Sequence, residues 1–195
     1  MSFSNLISSA LEQATSHSSG GSGSGSYDPE FSSAQHHAQA HESSSGDSSL
    51  FSSALGFLSD RKSQYSEQPD IDEEHLVQSH QQLYNGGGGG YGEEQQHDSK
   101  SLGAGAAMQA LKMFTSGGGG GSSGGDKNEF IGMAMAQASK LWEEKSGSGN
   151  VSGDKQSAVN SAAEMAFKMY MKSQGSGSSG TGGPAALMSL ASKFL

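Results

Sequence analysis

The stretch Ala-Leu-Lys-Met-Phe at residues 110–114 recurs as Ala-Ser-Lys-Leu-Trp at 138–142 and as Ala-Phe-Lys-Met-Tyr at 166–170. The copies are 28 residues apart (138 − 110 and 166 − 138), and a looser copy occupies 191–195. Self-similarity at a fixed period, with Gly/Ser-rich spacers between the copies, is typical of a structural unit used repeatedly. The repeat therefore predicts an all-α protein of repeated amphipathic helices, and it contains no chemistry.

The position of the repeat on a helix predicts which of its side chains are buried. At about 100° per residue, the aromatic and the preceding Met or Leu fall on one side of the helix and the lysine falls on the opposite side. We therefore predict three buried structural anchors, whose truncation in a core costs about 3–5 kcal/mol, and three exposed lysines. The anchors are Phe114, Trp142 and Tyr170, and the lysines are Lys112, Lys140 and Lys168.

Composition limits the classes of protein to which the chain can belong. It has 195 residues, of which 30 are Gly, only 32% are hydrophobic and none is Cys. The missing thiols exclude a disulfide framework, a thiolate zinc site and a cysteine nucleophile. The first residues lack the basic segment of a secretory signal, and no apolar run approaches the roughly 18 residues of a membrane span. We expect a cytoplasmic protein.

Charge divides the chain into two parts. Residues 1–98 carry fourteen acidic and two basic residues, whereas residues 99–195 carry six acidic residues and nine lysines. The resulting formal charges, −12 and +3, add up to the net −9 of the chain. We place a boundary near Asp98. Residues 1–98 are predicted to be an acidic, His/Gln/Ser-rich region with up to four short, less ordered helices, and 99–195 a helical repeat domain with a four-helix core that survives limited proteolysis.

Apolar periodicity and end signals locate the individual helices. An Asp at 126 followed by Glu129 matches a capping box, and Pro184 occupies a first-turn position. No segment shows the alternation of a strand. The predicted helices are 2–16, 28–42, 47–62 and 70–84 in the first part, and 99–115, 127–145, 154–173 and 184–195 in the second.

Several motifs suggest chemistry but lack a necessary residue. The glycine run that ends at 125–128 has an acid before its lysine and no hydroxyl after it, unlike a phosphate-binding loop. His37 and His41 share a helix face, but two imidazoles alone do not make a structural metal site. Residues 70–74 begin like a calcium loop, but its sixth position is His75 instead of Gly. We therefore predict no catalytic, cofactor-binding or metal-binding residue, no cofactor, and no enzyme.

Longer stretches of the chain resemble a known family. They are Leu50–Leu55, Asp70–Glu74, Ala106–Phe114, Phe130–Leu141, Met165–Gln174 and Leu190–Leu195. Together they are similar to an uncharacterised fungal family sometimes labelled beta-flanking protein, a domain of unknown function. The resemblance covers most of residues 47–195 apart from the glycine spacers. It implies a fungal intracellular protein, and it implies no activity, substrate or catalytic residue.

Three functions are consistent with these features. The first is a non-catalytic interaction or structural protein, and the hydrophilic composition suggests an association with stress. The second is reversible membrane-surface or lipid association through helices such as 2–16 and 184–195, although no basic residues flank 2–16. The third is a small-ligand carrier with a pocket between Met-rich helices. A protein partner is consistent with the first function. The charge of only +3 on residues 99–195 argues against nucleic acid as a partner. The oligomeric state stays open.

Overall fold

The computed structural model describes residues 29–42, 47–67, 70–85, 96–116, 126–175 and Ser192. The predicted helix 2–16 lies outside these residues, as do 184–195 and the repeat copy at 191–195 apart from Ser192. In the first part the described helices are α1 (Ser32–His41), α2 (Ser48–Glu67) and α3 (Glu73–His80). A 3-10 turn (Pro29–Phe31) precedes α1, and a π-helical turn (Gln81–Asn85) follows α3. In the second part they are α4 (Ser99–Ser116), α5 (Lys127–Gly147) and α6 (Lys155–Gly175). The prediction of an all-α fold is confirmed.

Aspartates determine where four of the helices begin. The side chain of Asp72 accepts a hydrogen bond from the backbone N–H of His75 (2.9 Å) at the start of α3, and Asp126 caps α5 in the same way. Asp98 and Asp154 cap α4 and α6, where hydrogen bonds from serines three residues later lower the pKa of each carboxyl. Such caps satisfy backbone donors that have no partner within the helix. The predicted cap at Asp126 is confirmed.

The six helices form two layers. The inner layer consists of α4, α5 and α6, which pack on one another and carry one copy of the repeat each. The outer layer consists of α1, α2 and α3, which pack on α5, α6 and α4 respectively. The outer helices thus come from the acidic part of the chain, and the inner helices come from the repeat part.

Small residues allow the inner helices to be enclosed on all sides. Residues 102–108 of α4 and 130–136 of α5 are all buried, as expected of helices surrounded by others. A Cβ at Gly103 would lie 2.4 Å from Ser161 Cβ on α6, and a Cβ at Gly132 would lie 2.6 Å from the carbonyl oxygen of Ala34 on α1. Only glycine permits these approaches without a shift of the neighbouring helix.

The main core combines side chains from both parts of the chain. Phe31 and Phe51, next to or within the outer helices, belong to the same buried cluster as Phe130 and Phe167 of the inner helices. The rings of Phe31 and Phe167 meet edge to face, with centroids 5.9 Å apart. Side chains from before and after Asp98 are therefore in direct contact. A folding boundary at this position stays a prediction.

A short β-bridge joins the N-terminal ends of two inner helices. Strands β1 (His97–Asp98) and β2 (Val151–Ser152) are parallel, with His97 opposite Val151. Each strand has two residues, too few for an alternating pattern, so the sequence gives no signal for them. The bridge places the caps Asp98 and Asp154 of α4 and α6 close to each other, and Ser99 Oγ donates a hydrogen bond to the Asp154 carbonyl (3.4 Å).

Candidate functional site: an apolar cleft with an acidic rim

The three predicted anchors lie on the three inner helices but are not equally buried. Phe114 is buried, and its ring centroid is 5.5 Å from that of Phe130. Trp142 and Tyr170 are half-buried, and Trp142 Nε1 donates a hydrogen bond to the carbonyl of Gly153 (3.2 Å). The difference arises because each inner helix is covered by a different outer helix. Full burial is instead common to the first repeat position, occupied by Ala110, Ala138 and Ala166.

The three predicted lysines also differ. Lys112 and Lys140 are exposed. Lys168 departs from the prediction: its side chain is only 15% exposed, because Nζ donates to Glu164 Oε1 (2.6 Å) and lies 4.6 Å from the ring centroid of Tyr65 on α2. Burial, together with the charge of Glu164 and a hydrogen bond to it, raises the pKa of Tyr65 to about 12. Lys168 therefore takes part in the contact between layers.

Ion pairs connect the two layers. In each, a lysine of an inner helix pairs with an acid at or just before the start of an outer helix. The pairs are Lys127 with Glu30, Lys155 with Asp47, and Lys172 with Glu73. The opposite charges of the two parts of the chain thus meet at specific positions. Lys62 of α2 also pairs with Glu30, which links the two outer helices α1 and α2.

The most buried polar cluster surrounds Asp47. Its Oδ2 atom accepts hydrogen bonds from Ser139 Oγ and Lys155 Nζ, both at 2.5 Å, and Lys155 also donates to Glu143 Oε1 (2.6 Å). Burial alone would lower the pKa of Lys155, but the hydrogen bonds to the two carboxylates outweigh it and raise that pKa. Ser139 is fully buried. The arrangement satisfies a buried carboxylate and holds the start of α2 against α5 and α6.

A different site lies between α3, α4 and α6, among buried side chains close to the surface. It is a cleft of about 230 Å³, including the open space at its mouth, lined by five apolar side chains. Glu73 and Lys172 also border it, and these two are joined by an ion pair of 2.5 Å with about a third of each side chain exposed. The apolar lining consists of Ile71, Leu76, Met108, Leu111 and Met169.

The dimensions of the cleft limit what it can hold. Pockets for drug-sized molecules measure about 300–1,000 Å³, whereas a cavity of about 150 Å³ holds a benzene ring. The 230 Å³ of the cleft include open solvent and cannot be compared with these volumes; because all five apolar lining residues are buried, the cleft has no room for a large side chain unless they move apart. Met108 and Met169 have flexible, unbranched side chains that can adjust to different shapes.

Several carboxylates adjoin the cleft-lining residues in the sequence. Asp70, Asp72 and Glu74 are exposed and flank the lining residues Ile71 and Glu73 in sequence. Asp72 caps α3, and Glu73 and Glu74 lie in its first turn, where their charges favour the helix start. Of these acids only Glu73 borders the cleft, where it pairs with Lys172. We call Asp70, Asp72, Glu73 and Glu74 the acidic rim.

Part of this site could be anticipated from the sequence. The Met-rich helices of the second part predicted a pocket between them, and Met108 and Met169 do border the cleft, although both are fully buried in the core. Ile71 and Leu76 come from the first part of the chain. Their approach to α4 and α6 depends on packing between the layers, and no local pattern encodes it.

Comparison with known families identifies part of the chain. Residues 30–119 match DUF7721, a domain of unknown function. The DUF7721 segment includes the outer helices and α4, and it ends before α5. It supplies Ile71, Leu76, Met108 and Leu111 of the cleft, whereas Met169 and Lys172 come from α6. Searches among curated proteins and among solved structures gave no match.

Two further properties concern only the parts of the chain that the structure describes. There, no group of three or more His, Asp or Glu side chains is arranged to hold a metal ion. The described helices also include none that combines the length and the apolar character needed to cross a membrane. His37 and His41 lie on α1, where the Cβ of His37 faces Gly132 of α5.

Proposed function

We propose that this protein is a non-catalytic interaction protein that binds a partner through the cleft between α3, α4 and α6. The observation that carries the proposal is a narrow cleft between packed helices, lined by buried apolar side chains that include two methionines and bordered by the Glu73–Lys172 ion pair. Interfaces typically place apolar anchors in such recesses and surround them with polar residues.

The polar clusters support a non-catalytic role. Asp47, Ser139 and Lys155 are residue types that occur in active sites, but here they bond to one another where outer and inner helices meet. Because Ser139 is fully buried, its hydroxyl is out of reach of a substrate. Their bonds serve to hold the layers together. A cytoplasmic location, a fungal origin and an association with stress stay predictions from the sequence.

A carrier of a small apolar molecule is the second candidate, because the lining of the cleft is entirely apolar apart from the ion pair. Such a ligand could enter only if the buried lining side chains moved apart. Membrane-surface association depends on residues 2–16 and 184–195, outside the described part of the chain, and stays a prediction.

Affinity capture with a blocked cleft tests the proposal. Ile71→Phe enlarges a buried side chain that lines the cleft, and Gln78→Phe adds the same ring at an exposed position of α3 as a matched control. We expect a partner that is captured from lysate by the wild type and by Gln78→Phe to be lost with Ile71→Phe. Circular dichroism checks that both variants are folded. Equal capture by all three proteins would contradict binding at the cleft, and a ligand thermal-shift screen with the same variants tests the carrier function.

A further inference from the structure

We propose that residues 29–42, which comprise the 3-10 turn, α1 and Glu42, form a strap that opens as a unit while the other helices stay folded. Opening exposes Phe31 and the face of α5 around Gly132. This inference does not depend on the cleft. It combines two independent observations, the small apolar contact that holds the strap and two buried polar atoms that have no partner when it is docked.

Few apolar side chains hold the strap on the inner layer. Its buried hydrophobic residues are Phe31, Ala34 and Ala38, and each alanine offers only one methyl group to the core. At Gly132 the backbone of α1 itself lies against α5, so no long side chain interlocks the two helices there. By contrast, α2 buries one Phe, two Leu and one Tyr. The strap can therefore leave by withdrawing a single large side chain, that of Phe31.

Two buried polar atoms at the strap lack a hydrogen-bond partner among the described residues. One is Oε2 of Glu42, whose carboxylate also lies at the negative end of the α1 dipole. The other belongs to Asn128 of α5. Its amide nitrogen donates to the Glu30 carbonyl (2.8 Å) and to Ser33 Oγ (2.7 Å), but its Oδ1 accepts no bond from the described part of the chain. Because water can satisfy such atoms once they are exposed, both favour the open state.

Helix α1 has little stability of its own. It has ten residues, and isolated helices shorter than about 12–15 residues are marginal in water. Its N-cap Phe31 provides no side-chain cap, whereas Asp72 caps α3. Glu30 pairs with Lys62 and Lys127 at the start of the strap, but the Glu30 side chain is 37% exposed, so salt screens these pairs. The strap is therefore helical only while it is docked, and opening breaks its backbone hydrogen bonds.

Native-state amide hydrogen exchange of the full wild-type chain, followed by NMR, tests this inference. We expect amides 36–42 to be about a hundredfold or more less protected than amides 133–139 of α5 and to share one free energy of opening. Their exchange should depend on urea, but less steeply than that of the α5 amides, because opening exposes less surface than global unfolding. Equal protection of the two sets would overturn the inference. So would protection in α1 that declines gradually toward its ends without urea dependence, because that pattern indicates fraying.

A pair of variants tests the cause of opening by the same measurement. Glu42→Met replaces the buried carboxylate by an apolar side chain of similar length and should slow the exchange of amides 36–42 about tenfold, with the α5 amides unchanged. Gln39→Met places the same side chain at an exposed position of α1 and should leave both sets unchanged. Raising the salt concentration should speed the exchange of α1, since the pairs of Glu30 are screened. Unchanged exchange in Glu42→Met, or equal slowing by Gln39→Met, would overturn the role of the buried carboxylate in opening the strap.

Discussion

Gly132→Ala tests how closely the outer helix α1 lies on the inner helix α5. The added Cβ would be 2.6 Å from the Ala34 carbonyl oxygen, 2.6 Å from His37 Cβ and 2.8 Å from the Ala38 nitrogen. All three atoms belong to α1, and two are backbone atoms, so a rotamer change cannot remove the contact. Ordinary contacts of Cβ atoms begin at 3.4 Å. Helix α1 must therefore withdraw by about 1 Å from a closely packed interface.

The expected magnitude follows from two opposing effects. Overpacking a core costs about 1–3 kcal/mol, and replacing Gly by Ala inside a helix contributes about 1 kcal/mol of stability. We expect a net loss of about 1 kcal/mol for Gly132→Ala. Gly147→Ala is the matched control in the same helix, because no atom lies within 4 Å of its added Cβ. It should change the free energy of unfolding by between zero and about +1 kcal/mol.

Urea denaturation followed by circular dichroism measures both variants. We expect the urea midpoint to fall for Gly132→Ala and to rise or stay unchanged for Gly147→Ala. The free energies of unfolding of the two variants should then differ by about 1–2 kcal/mol. Gly132→Leu should increase the loss, since its longer side chain displaces α1 further. Equal stabilisation by Gly132→Ala and Gly147→Ala would show that α1 does not lie against Gly132, and would refute the packing of the layers described above.

Three other predictions concern the repeat, the buried ion pair and a helix cap. Phe114→Ala should lower the free energy of unfolding by about 3–5 kcal/mol and the half-buried Trp142→Ala by less; equal losses in urea titrations would contradict their unequal burial. Lys155→Met leaves the carboxylate of Asp47 without its cation and should lower the free energy of unfolding by about 2–3 kcal/mol. An unchanged thermal midpoint would show that this ion pair does not hold the layers together. Asp154→Asn should lower the free energy of unfolding at neutral pH. Folding lowers the pKa of Asp154 below its unfolded value of 3.8, so the carboxylate stabilises the wild type above that pH. This contribution disappears as the pH falls through the folded-state pKa. A difference between wild type and Asp154→Asn that persists at pH 2 would contradict this.

Local patterns predicted the helices well. The 28-residue repeat, the apolar periodicity and acid caps such as Asp126 act within a few turns of one helix, so they can be recognised without knowledge of tertiary contacts. Predicted and observed ends of α4, α5 and α6 agree within two residues. The polar helix α1, which has only Ala34 and Ala38 as buried positions, also forms within the predicted range 28–42, although its N-cap Phe31 provides no side-chain cap.

Contacts between helices were much less predictable. Helix phase placed Trp142 and Tyr170 inward, but their burial depends on which outer helix covers each inner helix. Lys168 was expected in water, and it is covered because Tyr65 of α2 lies beside it. The cleft depends on Ile71 and Met169, which are almost a hundred residues apart in the sequence. Neither pair has a local signature.

The contact between the two parts of the chain is the central claim. The sequence alone predicts that residues 99–195 form a helical core, whereas the structure covers that core with α1, α2 and α3. Without these helices the apolar faces that contact Phe31, Phe51 and Leu58, each at most 1% exposed, would meet water.

The most direct test compares the urea unfolding of the full chain with that of the fragment 99–195, both followed by circular dichroism. The account predicts that the full chain unfolds in one cooperative transition and that the fragment unfolds at a much lower urea concentration or without a cooperative transition. A fragment with the same midpoint and the same cooperativity as the full chain would contradict the account. It would show that the outer helices contribute nothing to the stability of the inner layer.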